Sequence, residues 1–148
     1  MITRSSGFSL VELLVVVAII GILSATGMVV YSGYISSAKK STAKSLMAQI
    51  ALAQSEQYAN SGSYFKTDFT PNCQPLNPID KDEQLVAIEI ALFDGDQTIP
   101  RDGNYGYCIA GEDANNFVVI ASEFSGTDLT GCTFAIGRRG AIEATDDC

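Results

Sequence analysis

The sequence predicts an α+β protein in which one long N-terminal helix packs on a small antiparallel sheet. The chain contains no proline before Pro71, and its first helix-stop signal is the segment 60–62, so one helix is expected from about Ser9 to Ala59. Short segments of alternating apolar residues and turn signals then fill residues 105–145. A long helix followed by such strands favours helix-on-sheet packing.

The first part of this helix is apolar enough to cross a membrane. Residues 13–35 contain no charged side chain, and a helix of this length spans about 35 Å, which exceeds the hydrocarbon thickness of a bilayer. An ordinary signal peptide cut near residues 25–27 is the alternative. That cut would leave apolar residues on the new N-terminus, so we expect an uncleaved anchor.

One carboxylate stands at the front of the apolar run. The segment GFSLVELLVVVAIIGIL begins at Gly7 and has Glu12 as the fifth residue after it. An acidic residue at the centre of a membrane helix costs roughly 2.5–3.5 kcal/mol. The segment resembles the class III signal of type IV pilins and pseudopilins. The resemblance is close over about the first 31 residues and concerns only the layout of the rest.

The resemblance implies a specific maturation. The prepilin peptidase of this family would cut between Gly7 and Phe8, and the new amine would be methylated and remain cationic. In an assembled filament, Glu12 of one subunit would face the Phe8 amine of a neighbour, which offsets the desolvation of both charges. The alternative is that Glu12 lies at headgroup depth, solvated and without a partner.

The sequence departs from the family pattern at one position. The family often has a proline where this chain has Val29, and a proline would interrupt the helix. Any flexibility of the helix must therefore come from Gly21 and Gly27, each of which lowers helix propensity by up to about 1 kcal/mol. Close packing against neighbouring helices is the alternative role for these glycines.

The resemblance also implies a division of the chain into four parts. These are a leader peptide at 1–7, a transmembrane or filament-core helix at 8–35, an amphipathic half of the same helix at 36–62 and a disulfide-stapled globular domain at 63–148. From the end of the apolar run onward, apolar residues recur near helical spacing: Ile35, Ala38, Ala43, Leu46, Met47, Ile50 and Ala53.

The globular part is predicted to contain a loop, a short helix and a sheet. Residues 63–83 have loop composition, and residues 84–93 favour a short helix over a strand. The aspartates of 94–104 match no EF-hand spacing, so we interpret that segment as solvated turns and not as a calcium loop. Strands are predicted at 105–111, 117–124, 132–136 and 141–145, the last two flanking a GRRG turn.

The cysteines indicate an oxidising compartment. A zinc site would need all four thiolates, because the chain has no histidine, so we expect no metal and no cofactor. Two disulfides are expected, with three pairings open. We favour Cys132–Cys148, which closes a short loop at the chain end, together with Cys73–Cys108. Disulfides place the C-terminal half outside the cytoplasm.

Charge and composition exclude several functional classes. The net charge of −8 argues against nucleic acid as the main partner. Without histidine, no Ser–His or Cys–His pair exists, so we expect no enzymatic activity. We interpret the basic pair Arg138-Arg139 as a solvated turn, with contact to DNA or to a neighbour's acidic surface as the alternatives.

The resemblance predicts a structural subunit of a type IV pilus, a homo-oligomeric helical filament used in adhesion, twitching motility or DNA uptake. The precursor would lie in the inner membrane with a cytoplasmic N-terminus, among lipids, the prepilin peptidase and the assembly platform, before export into an extracellular filament. The first alternative is a minor pilin or a pseudopilin of a type II secretion or competence machine. The second is a monomeric single-pass anchor that displays a binding domain.

Overall fold

The computed structural model describes residues 7–68, 73–75, 81–101, 104–111, 113–125, 128–145 and 148. Its elements are, in chain order, α1 (Leu10–Ser61), α2 (Lys81–Leu92), β1 (Tyr105–Ala110), β2 (Val118–Ser125), β3 (Asp128–Gly137) and β4 (Ile142–Ala144). The four strands form one antiparallel sheet in the order β1-β2-β3-β4. The predicted α+β class is confirmed.

The chain divides into two compact units, and helix α1 contributes to both. The N-terminal unit ends at Ala38, and the C-terminal unit runs from Lys39 to Cys148. At its far end α1 stops at Gly62, whose φ of +74° lies in the left-handed region. The Gly62 N–H donates to the carbonyl of Tyr58 at 2.8 Å, as expected for a glycine C-cap.

Within the C-terminal unit, α1 buries a stripe of side chains at helical spacing: Ala43, Leu46, Met47, Ile50 and Gln54. Of the other residues of the predicted face, Ala38 of the N-terminal unit is exposed, and Ile35 and Ala53 are half-buried. Gln54 is buried because its amide bonds both backbone groups of Phe65. Its Nε2 donates to the Phe65 carbonyl at 2.6 Å, and its Oε1 accepts from the Phe65 N–H at 2.9 Å, so both polar atoms of the Gln54 amide are paired.

Helix α2 confirms the preference for a helix over a strand, but it starts earlier than predicted. It begins at Lys81, so the loop expected at 63–83 ends three residues sooner. Asp82 and Glu83 lie in its first turn, where negative charge is favourable. Leu85 and Ile88 face the core and are fully buried.

The sheet covers α1 with one face. Inward side chains of successive strands meet in register, as in the row Tyr107, Ala121 and Phe134, and all three belong to the core that includes Met47 and Ile50. Outward side chains alternate with them. Between β3 and β4 the predicted GRRG turn is closed by Gly140, whose φ is +74°.

Two disulfides tie segments outside the sheet to its strands. Cys73 is bonded to Cys108 of β1, and Cys132 of β3 is bonded to Cys148. Cys73, Cys108 and Ala110 form a small buried cluster of their own on the outer side of β1. Segment 73–75 is thereby held against that edge of the sheet.

Non-reducing peptide mapping of the full chain is expected to recover Cys73–Cys108 and Cys132–Cys148 peptides. The second bond closes a loop of 16 residues, and a loop of that size is worth about 3 kcal/mol in the chain-entropy model. A reduced sample, in which both crosslinked peptides should disappear, is the control. Recovery of a peptide that joins Cys73 to Cys132 would contradict this pairing.

Candidate functional site

The start of α1 is capped by its own third residue. Gly7, Phe8 and Ser9 precede the helix, and the Ser9 N–H donates to Oε2 of Glu12 at 3.0 Å. This is the acidic half of a capping box, in which a carboxylate three residues on satisfies the N-cap amide. This role of Glu12 was not predicted from the sequence, although the Ser-x-x-Glu spacing before an apolar run was a signal for it.

The following turns of α1 expose an unusually apolar surface. Phe8 is 81% exposed, and large apolar side chains from Leu10 to Leu23 are all exposed. The window Leu10–Gly27 has a mean hydropathy of 2.4 with none of it buried, and it is long and apolar enough to cross a membrane. An apolar surface of this size indicates lipid or other chains as its surroundings.

The glycines of this segment are not required by packing within the described part of the chain. A Cβ added at Gly21 or Gly27 would meet no atom within 4 Å there. Nearby polar side chains bond to the helix itself, since the Ser24 hydroxyl donates to the Ile20 carbonyl at 2.7 Å. Such local bonds satisfy polar groups inside an apolar helix.

A buried ion pair, which the sequence analysis did not identify, holds the segment after α2. Glu89 is only 2% exposed. Its Oε1 accepts from the Ile99 N–H at 2.9 Å, and its Oε2 pairs with the guanidinium of Arg101. The Gly95 N–H also donates to the Glu89 carbonyl at 3.0 Å. The one signal in the sequence was an acid inside the apolar run VAIEIAL.

The strongest pKa shifts belong to two tyrosines of β1. Burial raises the pKa of Tyr105 to about 12, and the Glu123 carboxylate adds to this by its charge and by accepting a hydrogen bond at 3.4 Å. Burial raises the pKa of Tyr107 further. Both phenols therefore stay neutral at physiological pH and act as core side chains. Among the described residues, no group of three His, Cys, Asp or Glu side chains could hold a metal ion.

Comparison with known proteins finds one match. Residues 2–28 match the family model described as the prokaryotic N-terminal methylation motif. The matched segment contains Gly7, Phe8, Glu12, Gly21 and Gly27, and the match confirms the class III signal predicted from the sequence. No curated protein and no solved structure is similar enough to this chain to count as a match.

Proposed function

We propose that this chain, which carries the class III signal of type IV pilins and pseudopilins, is a structural subunit of a type IV pilus made as a membrane-anchored precursor. One observation carries the proposal: the methylation motif lies on a helix whose apolar window, Leu10–Gly27, has no buried residue. Such a surface needs lipid around it before assembly and neighbouring apolar helices afterwards.

Cleavage between Gly7 and Phe8 removes a leader at 1–7 and keeps the apolar helix. Gly7 and Phe8 precede the first residue of α1, so the bond between them is not part of the helix. Phe8 is largely exposed. A bond outside the helix is accessible to a protease, which supports processing by the prepilin peptidase at this bond.

In the filament, Glu12 pairs with the Phe8 amine of a neighbouring subunit. Glu12 is exposed in the first turn of the helix, four residues after Phe8. A lone carboxylate among packed apolar helices is costly, and an opposite charge with good geometry offsets that cost. Gly21 and Gly27 then allow bending or close helix approach along 8–35, while 36–62 carries the disulfide-stapled domain at 63–148.

The same signal serves minor pilins and pseudopilins, and the final location of the chain separates them from a pilus subunit. We expect the mature chain in extracellular filaments after passage through the inner-membrane assembly platform. Sheared fibres labelled with an antibody to the C-terminal unit should show this chain along their length by electron microscopy. A chain that stays entirely in the membrane fraction would contradict the pilus assignment.

Processing is expected to yield a mature chain that begins at Phe8 with a methylated amine. N-terminal mass analysis measures this directly, and a start near Met28 would contradict it. Gly7→Val should accumulate as uncut precursor, because a branched side chain obstructs the backbone at the cut. Ser5→Val, which places the same branched side chain two residues earlier, is the control and should mature. Normal maturation of Gly7→Val would also contradict the assigned site.

A further inference from the structure

One exposed surface of the C-terminal unit lies on α2. Val86 is 43% and Ile90 65% exposed, and residues four apart on a helix lie one above the other. We call this pair the α2 ridge. Asp82 precedes Val86 by one turn, and Asp94 follows Ile90 by the same interval just beyond the helix end; both acids are exposed. The ridge is therefore apolar at its centre and negative at both ends.

A second exposed surface lies on the outer face of the sheet at the β3–β4 turn. An open cavity of about 690 Å³ lies there, and we call it the sheet groove. Val118, Ala135 and Ala141 contribute apolar side chains to it. Ala135 alternates with the buried Phe134 and Ile136, so the groove faces away from the core and from α1.

The sheet groove is positively charged at its rim. Arg138 and Arg139 line it, and both are exposed. Arg138 donates to the Asn115 carbonyl at 3.4 Å. Glu143 also lines the groove, so two guanidiniums face one carboxylate in a chain whose net charge is −8. The groove thus complements the ridge both in its apolar centre and in its charge.

The two surfaces lie on opposite sides of the sheet. Helix α2 packs against β1 with Leu85 and Ile88 in the core that the inner face of the sheet shares with α1, whereas the sheet groove lies on the outer face. A ridge on one side of the sheet cannot occupy the groove on the other side of the same unit. A contact between two such different patches is heterologous, and repetition of it builds a ring or a helical filament.

We propose that the α2 ridge of one copy docks into the sheet groove of a second copy of this chain, as an amphipathic helix docks in a groove. The ridge side chains contact Val118, Ala135 and Ala141, and the acids at the ridge ends face Arg138 and Arg139. This rests on the proposed function, because it specifies a contact between globular units in the filament. It assigns a role to the arginine pair that the sequence analysis interpreted as a solvated turn.

Crosslinking in intact filaments tests this contact. The full chain carrying Ile90→Cys and Ala141→Cys is assembled in cells, sheared, and treated with a short bis-maleimide. This reagent leaves the four native cysteines untouched, because all of them are in disulfides. A ladder of dimers and higher multimers is expected on a denaturing gel, since each copy presents one ridge and one groove. Leu52→Cys with Ala141→Cys is the matched control, because Leu52 is an exposed α1 residue at 73%, and it should give no ladder.

A charge exchange provides the second measurement. Arg138→Glu with Arg139→Glu should lower the yield of sheared filaments, or the crosslinked fraction within them, by about tenfold or more, because like charges then meet across the interface. Adding Asp82→Lys and Asp94→Lys, which reverse the charges at the two ridge ends, to the same chain should restore it. If the substitutions Ile90→Cys and Ala141→Cys themselves prevent assembly, the charge exchange alone tests the contact.

The outcomes separate the contact from the proposed function. Filaments without a ladder, a crosslink to a chain of different mass, or a charge exchange without rescue would each overturn the docking while the pilus assignment stands. A parent chain that forms no filaments would overturn both. A ladder confined to the Ile90–Ala141 pair, together with rescue by the exchanged charges, would establish the contact.

Discussion

Replacing Glu12 by leucine is expected to lower incorporation into filaments by orders of magnitude while insertion and cleavage persist. The substitution removes a carboxylate that is costly in hydrocarbon, and cleavage depends on Gly7 and its neighbours. In the filament, however, the Phe8 amine loses its partner. Stranding one charge of a buried pair costs about 3–5 kcal/mol, and roughly 1.4 kcal/mol corresponds to a tenfold change. The measurement is the ratio of sheared to cell-bound mature chain.

Glu12→Gln separates the charge from the helix cap. In the structure the Glu12 carboxylate accepts from the Ser9 N–H, and glutamine can also make this capping bond. If the charge pair drives assembly, Glu12→Gln should assemble as poorly as Glu12→Leu. Assembly of Glu12→Gln at the parent level, with Glu12→Leu defective, would show that capping is the function of this residue. Parent-level assembly of Glu12→Leu would refute both accounts.

Elements with local signals could be predicted from the sequence. The helix expected from Ser9 to Ala59 runs from Leu10 to Ser61, because the segment 60–62 ends with a glycine that can adopt a positive φ. The strands follow apolar alternation, and the β3–β4 turn follows a glycine-flanked pair. In each case the determining residues are neighbours in the chain, so no knowledge of tertiary contacts was needed.

The features that the sequence did not predict depend on polar partners that lie in another part of the chain. Gln54 is buried because the Phe65 backbone pairs with both ends of its amide, and hydrophobic periodicity assigns no such position to glutamine. Glu89 is buried because Ile99 and Arg101 meet it from a turn-rich segment. The sequence shows each residue but not the folded path that brings them together.

The functional surfaces also differ in whether the sequence alone could predict them. The motif of Gly7, Phe8 and Glu12 was recognisable because its meaning lies in spacing along one helix start. The α2 ridge and the sheet groove were not recognisable as a pair. In the sequence, Val86 and Ile90 belong to the same apolar run as Leu85. In the structure, Val86 and Ile90 are exposed, whereas Leu85 is buried. The surfaces of the C-terminal unit therefore required the fold, whereas the N-terminal signal did not.

Replacing Arg101 by methionine is expected to destabilise the C-terminal unit by about 3 kcal/mol. The change leaves the Glu89 carboxylate buried without its cation, and breaking a buried ion pair costs about 3–5 kcal/mol. The lower end applies because the Arg101 side chain is 29% exposed and water screens the pair. Pulse proteolysis of the full chain in detergent across a urea series measures this. With a slope of about 1–3 kcal/mol per molar urea, the midpoint should fall by roughly 1–3 M.

The double variant Glu89→Gln with Arg101→Met isolates the charge from the packing. The glutamine carbonyl can still accept from the Ile99 N–H, which Glu89 now holds at 2.9 Å, but a neutral amide needs no cation beside it. The methionine is present in both variants, so any loss of arginine packing is common to them. The double variant should therefore recover a large part of the stability that the single variant loses. If the double variant unfolds at the same urea concentration as Arg101→Met, the stability arises from side-chain packing and the ion-pair account is wrong.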